Sequence, residues 1–154
     1  MILHLRDWAF DVDLSGTMEY SAAEAAEHCT CGYCRNFYCG IDANYPCFRG
    51  FLAQFGVDAE APEELMPLEP TVYMGSYLVK GRVLRMGKRP MRVEELSLWA
   101  EPSENGFLLC FRDMVIPWSL DESMEEVVSP ANEPEFLQKM QEKWMESQEN
   151  AIFL

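Results

Sequence analysis

The chain reads as an α+β domain, with an antiparallel sheet of three to five strands packed against two or three helices. Three features predict this. Residues 71 to 118 alternate apolar and polar side chains around strong turn signals. Phe48, Phe51, Leu52 and Phe55 fall at helical spacing between Pro46 and Gly56. Near the C-terminus, Phe136, Leu137, Met140, Trp144 and Met145 form a second helical stripe. At 154 residues the chain is read as one domain, 1–154, long enough to build a core without disulfides.

Taken in order, residues 1 to 20 carry Leu3, Leu5, Trp8, Phe10, Val12 and Leu14 in loose alternation, which predicts one or two short strands and a turn at Ser15-Gly16. Ser21-Ala-Ala-Glu24 has the form of a capping box and predicts a short helix from Ala22 to about His28. A cysteine-rich segment follows, 28–47. Pro46 to Phe55 is the next predicted helix, with Gly56 at its C-terminal end. Val57 to Pro70, acidic and proline-containing, is expected to be an exposed loop.

From Thr71 three or four antiparallel strands are expected. Gly81 marks a bulge or a close backbone approach, Asn105-Gly106 a hairpin turn, and Pro117 a strand end. Cys110 falls within a strand as a core residue. After an acidic stretch, Asn132 caps the predicted C-terminal helix, 132–150, which packs on the sheet or offers a dimerisation face.

Composition excludes some partners. The formal net charge is −14, so phosphate backbones and anionic membrane surfaces are repelled, and neither nucleic acid nor membrane is an expected partner. Six of the twelve basic residues lie at Lys80, Arg82, Arg85, Lys88, Arg89 and Arg92; such a run is read as a solvated face in preference to an anion site. The N-terminus lacks the pattern of a signal peptide and no apolar stretch reaches membrane-spanning length, so a cytoplasmic location with reduced thiols is expected.

The chemistry concentrates between His28 and Cys39, where four of the six cysteines sit within twelve residues. Cys29, Cys31 and Cys34 form C-x-C-x-x-C, a set of soft ligands suited to zinc, copper(I) or an iron–sulfur cluster. Tetrahedral zinc takes four ligands, so His28, Cys39 or Cys47 would complete the site. At the start of the Pro46 helix, Cys47 would have its thiol pKa lowered. Arg35 and Asn36 are expected to hydrogen-bond the sulfurs.

Two readings compete with a metal. Cys31-Gly-Tyr-Cys34 has the spacing of a thiol–disulfide oxidoreductase, but that motif should open a helix in a β-α-β pattern, and the preceding segment reads as helix. Alternatively the thiols are ordinary core residues of a metal-free protein that dimerises through its C-terminal helix. The only histidines are His4 and His28, no acid/base pair or phosphate-binding loop stands out, and no catalytic residue is assigned. The favoured expectation is a non-enzymatic binding protein, acting on a protein partner or by self-association, with a cysteine-ligated structural zinc.

The run Cys29-Thr-Cys31-Gly-Tyr-Cys34-Arg35-Asn36-Phe37 resembles a C-x-C-x-x-C-R-N-F motif of small, uncharacterised bacterial proteins with no assigned activity. Phe55-Gly56-Val57-Asp58, Tyr73-Met-Gly75, Val79-Lys-Gly81 and Pro117-Trp118 are similar to later features of that family, so the resemblance spans roughly 28 to 120. It implies a helix between the motif and the Gly56 turn, and supplies no substrate.

Overall fold

The computed structural model describes residues 1–69 and 71–121. The predicted C-terminal helix, with Asn132 and its apolar stripe, lies outside these residues. In order, the elements are β1 (Ile2–Leu5), β2 (Trp8–Val12), α1 (Leu14–Ala26), α2 (Gly32–Asn44), α3 (Phe48–Ala53), β3 (Glu64–Glu69), β4 (Val72–Val79), β5 (Gly81–Arg85), β6 (Met91–Val93), β7 (Leu96–Ser103) and β8 (Gly106–Val115). The architecture is α+β, as expected, but its strands form two antiparallel sheets, ordered β1-β2-β5 and β3-β4-β8-β7-β6. Among the described residues no helix is long and apolar enough to cross a membrane.

The second sheet arises at Gly81. Immediately after β4 the chain swings away to pair with β2, with Val12 opposite Gly81. The turn holds Gly81 at φ +140°, and a Cβ there would stand 2.1 Å from the Asp11 carbonyl oxygen, so only glycine fits. Five strands therefore occupy 71–118, and one of them leaves the larger sheet. The Asn105-Gly106 turn joins β7 to β8 with Ser103 opposite Gly106, and β8 ends at Val115, two residues before Pro117.

Three segments depart from expectation. Helix α1 begins at Leu14 and not Ala22, because Asp13 caps it: its carboxylate accepts from the Gly16 N–H at 3.0 Å. Ser15 and Gly16 thus lie in the first helical turn, and Ser21 is interior, its hydroxyl accepting from the Asp58 N–H at 2.7 Å. Residues 57–69 are not an exposed loop. Val57, Ala59 and Ala61 are buried, and β3 pairs with β4; Pro67 is tolerated because β3 is an edge strand. The third helix starts at Phe48, leaving Pro46 in the turn before it, while Gly56 closes the following turn at φ +82°.

The buried side chains form one cluster that joins both sheets with α2 and α3. Phe111 of β8 is central. It stacks on Phe37 of α2 (centroids 6.1 Å, interplanar 12°) and on Tyr77 of β4 (5.9 Å, 29°), and meets Phe48 of α3 edge-on (5.7 Å, 76°). A second group, Phe10, Phe55 and Phe107, joins the small sheet, the Gly56 turn and β8 at 5.0 to 6.2 Å. Truncating a ring that touches two helices leaves a cavity neither can fill. Phe111→Ala is expected to cost about 3–5 kcal/mol, whereas Val115→Ala on the same strand, 50% exposed, should change stability by under about 1 kcal/mol. Urea unfolding midpoints of the two variants check this.

Candidate metal centre

Helix α2 builds the site. Cys31 is its N-cap, in extended geometry at φ −63° and ψ 162°, and its Sγ accepts from the Cys34 N–H at 3.5 Å. The Cys31 N–H in turn points to the Cys29 Sγ at 3.5 Å. Arg35 holds the loop between them, donating from Nε to the Thr30 carbonyl at 2.9 Å. These bonds gather the Sγ atoms of Cys29, Cys31 and Cys34 within 4.8 Å of one another, with Cys29 and Cys31 exposed and Cys34 buried. The three thiols are placed so that they can hold a metal ion.

Their protonation is unequal. The Cys34 thiol donates to Cys31, and this bond is the main cause that pulls the Cys31 thiol down to about 5; the Cys34 N–H and Cys29 add to it, against partial burial. The same bond pushes the Cys34 thiol well up, with burial and the neighbouring negative charge acting in the same direction. Without a metal the trio thus holds a thiolate on the outside and a thiol beneath it.

Of the six candidate ligands, the structure brings together Cys29, Cys31 and Cys34. His28 lies outside the trio: its Nδ1 is 3.2 Å from the Glu60 carbonyl and its ring stacks on Tyr38 (4.3 Å, 9°). Cys47, just before α3, is also outside; its N–H donates to the Glu94 carboxylate at 2.7 Å. The expected lowering of its thiol pKa is reversed, because a hydrogen bond to that carboxylate stabilises the protonated form. Cys39 is exposed on α2, and Cys110, as expected, is buried in β8, where burial pushes its thiol up.

Asn36 does not serve the sulfurs. Its Nδ2 donates to the Tyr73 hydroxyl and the Ile116 carbonyl, each at 3.3 Å; its Oδ1 accepts from the Ser119 N–H at 2.8 Å and the Ser119 hydroxyl at 3.3 Å. Fully buried, the amide spends its whole bonding capacity on β4 and on the segment after β8. The motif's asparagine thus anchors the helix that carries the cysteines.

Tyr38 is a site residue that the sequence reading missed. It stands one turn beyond Cys34, and its hydroxyl is held protonated, first by burial and then by the charges of Cys34 and Cys29. The signal was the four-residue spacing, legible only once Gly32–Asn44 is known to be helical.

The basic run is tied back to the first hairpin and α1. Arg82 pairs with Asp11 at 3.6 Å, Arg85 donates to the Asp7 carbonyl at 2.8 Å, and the Lys80 ammonium lies 4.7 Å from the centre of the Tyr20 ring. The Asp7 carboxylate accepts from the Lys88 N–H at 2.6 Å, which lowers its pKa. This is a solvated face with its own carboxylates.

Comparison with models of known families, with characterised proteins and with solved structures gives no match to this chain. Its function is therefore argued from the chemistry of the site.

The unequal thiols have a direct readout. With its pKa near 5, Cys31 of the metal-free protein is largely thiolate at pH 6, and its alkylation rate is expected to be flat from pH 6 to 8. Below about pH 5 it should slow as the thiolate takes up a proton. An ordinary exposed thiol instead gains about ten-fold per pH unit up to its own pKa near 8.5. Peptide mapping after brief iodoacetamide treatment distinguishes the two profiles.

Proposed function

We propose that Cys29, Cys31 and Cys34 hold one zinc ion, and that the protein is a non-enzymatic binding protein stabilised by it. One observation carries this: a third thiol stands beside the C-x-x-C pair. A dithiol needs only Cys31 and Cys34; Cys29 has no role in it, yet its sulfur shares the same 4.8 Å space. Zinc–sulfur bonds of about 2.3 Å in a tetrahedron set the sulfurs about 3.8 Å apart, a spacing compatible with three sulfurs that lie within 4.8 Å of one another. The Cys31 and Cys34 N–H groups already point at sulfur, and such bonds spread thiolate charge in metal sites. The fourth ligand comes from outside the trio, from His28 or from water.

An ion here would fasten the exit of α1 to the first turn of α2. It supplies a structural clamp at a surface where two of the three ligands are exposed. A reducing compartment such as the cytoplasm would keep the thiols competent to bind. The acidic surface favours protein partners over nucleic acid or anionic lipid. The motif's likeness to small bacterial proteins fits this reading and adds no partner.

Elemental analysis of protein purified without chelators, with zinc supplied, tests the proposal. About one zinc per chain is expected. At zinc about a hundred-fold above its Kd the ion contributes about 2.7 kcal/mol, so Cys31→Ser should lose the zinc and lower Tm by about 5–10 °C. Cys39→Ser should keep both. Zinc-free wild type, or zinc retained at full stoichiometry in Cys31→Ser, overturns the assignment.

A further inference from the structure

The three thiols are not equivalent in reach. Cys31 is exposed at the N-cap of α2, where an oxidant can approach it. Cys34 lies buried in the first turn below it, in hydrogen-bond contact, with its sulfur within 4.8 Å. This pairing of an accessible sulfur with a shielded one at C-x-x-C spacing is what a reversible disulfide requires. The C-x-x-C pair opens helix α2, while the element before it is helix α1 and not the strand of a β-α-β unit, as the sequence predicts.

We propose that the same site is a redox-gated metal site, in which a peroxide closes a Cys31–Cys34 disulfide and expels the ion. The proposal rests on the metal reading above. The Cys31 sulfur attacks one peroxide oxygen; the O–O bond breaks and hydroxide leaves, taking a proton to form water. Cys31 then carries a sulfenic acid. The Cys34 sulfur attacks the Cys31 sulfur; the S–S bond forms, the S–O bond breaks, and a second hydroxide leaves as water. In the loaded site both sulfurs are thiolates, so two thiolates lose two electrons, and hydrogen peroxide takes these with two protons from solvent to become two molecules of water. A disulfide sulfur is a poor ligand beside a thiolate, so the trio falls from three ligands to the single thiolate of Cys29 and the ion is released.

Cys29 and Cys34 are both within reach of Cys31, and of the two only Cys34 is shielded from a second oxidant. Closing the bond needs the two sulfurs to move from their present contact to about 2.05 Å, a side-chain adjustment at the helix start. Exposed Cys39 and Cys47 belong to no such pair within the trio and would oxidise independently.

The test uses the full chain carrying Cys39→Ser and Cys47→Ser, loaded with zinc and treated with hydrogen peroxide. A chromophoric chelator reads released zinc, and peptide mapping reads the linkage. Loss of about one zinc with about two thiols per chain, a Cys31–Cys34 peptide pair, and recovery of zinc binding after phosphine reduction are expected. Cys29→Ser, which removes a ligand but leaves the pair, should form the same disulfide. With Cys29 also changed to serine, Cys34→Ser should lose reversibility, with Cys31 driven to sulfinic acid. The two proposals fail at different steps. A chain that takes up no zinc at loading overturns the metal reading and the gating with it. A loaded chain that keeps its zinc under peroxide, or loses it without the Cys31–Cys34 pair, overturns the redox proposal alone.

Discussion

The buried carboxamide of Asn36 is the constraint on which the placement of the site depends. A primary amide stripped of water costs free energy unless each of its bonding positions is met. Here all four are met, by Tyr73, Ile116 and twice by Ser119, so only one arrangement of α2 against β4 and the 116–119 segment satisfies the group. The Tyr73 hydroxyl extends the network, donating to the Tyr33 carbonyl at 2.8 Å within the first turn of α2. That turn is the one that carries Cys31 and Cys34. Close packing reinforces it: Gly40, on the same helix, lies against Ile116, whose methyl would meet an added Cβ at 2.3 Å.

With the helix so fixed, the local chemistry at its start follows. A helix N-terminus presents unpaired N–H groups and a positive end to its dipole, and both favour negative sulfur. Cys31 as N-cap uses this directly, which makes the cap a chemical group as well as a structural one. In a chain of net charge −14, a site for a cation needs no imported attraction, but accumulating thiolates does need local relief. The amide groups and the Cys34 proton provide that relief when no ion is present. Arg35 keeps the intervening loop closed through the Thr30 carbonyl, while its charge stays beside the sulfurs in sequence.

Much of the fold was legible because hydrophobic period and turn chemistry are local. The strands from Val72 to Val115, the Asn105-Gly106 hairpin and the close approach at Gly81 all follow from residues acting within a few positions. The missed elements were decided elsewhere. Asp13 and Ser21 both have capping side chains; Asp13 wins because Ser21 is needed by the Asp58 N–H across the fold. Glu64–Glu69 looks like a loop by composition, yet an edge strand can carry Pro67 and expose its acids while Met66 is buried. Helix α2 was hidden because its glycines and cysteines are poor helix formers, and its stability comes from Phe37, Ile41 and Asn36 in the core. That Cys29, Cys31 and Cys34 come together was legible from their spacing. The roles of Asn36 and Cys47 were not, since each depends on a partner distant in sequence, Tyr73 and Glu94, and that of Tyr38 was not because its spacing from Cys34 has meaning only on a helix.

The same geometry that suits a metal also suits a disulfide, and the two uses exclude each other. An ion holds three sulfurs apart at roughly twice the length of an S–S bond, while a disulfide consumes two of them. On the reading proposed above, which state prevails is set by the supply of soft metal and of oxidant around the chain. Burial makes the competition asymmetric. Cys34 sits below the surface and Cys31 above it, so an attacking oxidant meets the thiolate that the helix start has prepared and not the one that must resolve it. Because Cys29 stays outside the proposed pair, its sulfur is not consumed by oxidation and is available to begin re-binding once the disulfide is reduced. A two-cysteine site would lose every ligand at the same step; the third cysteine makes the return path shorter.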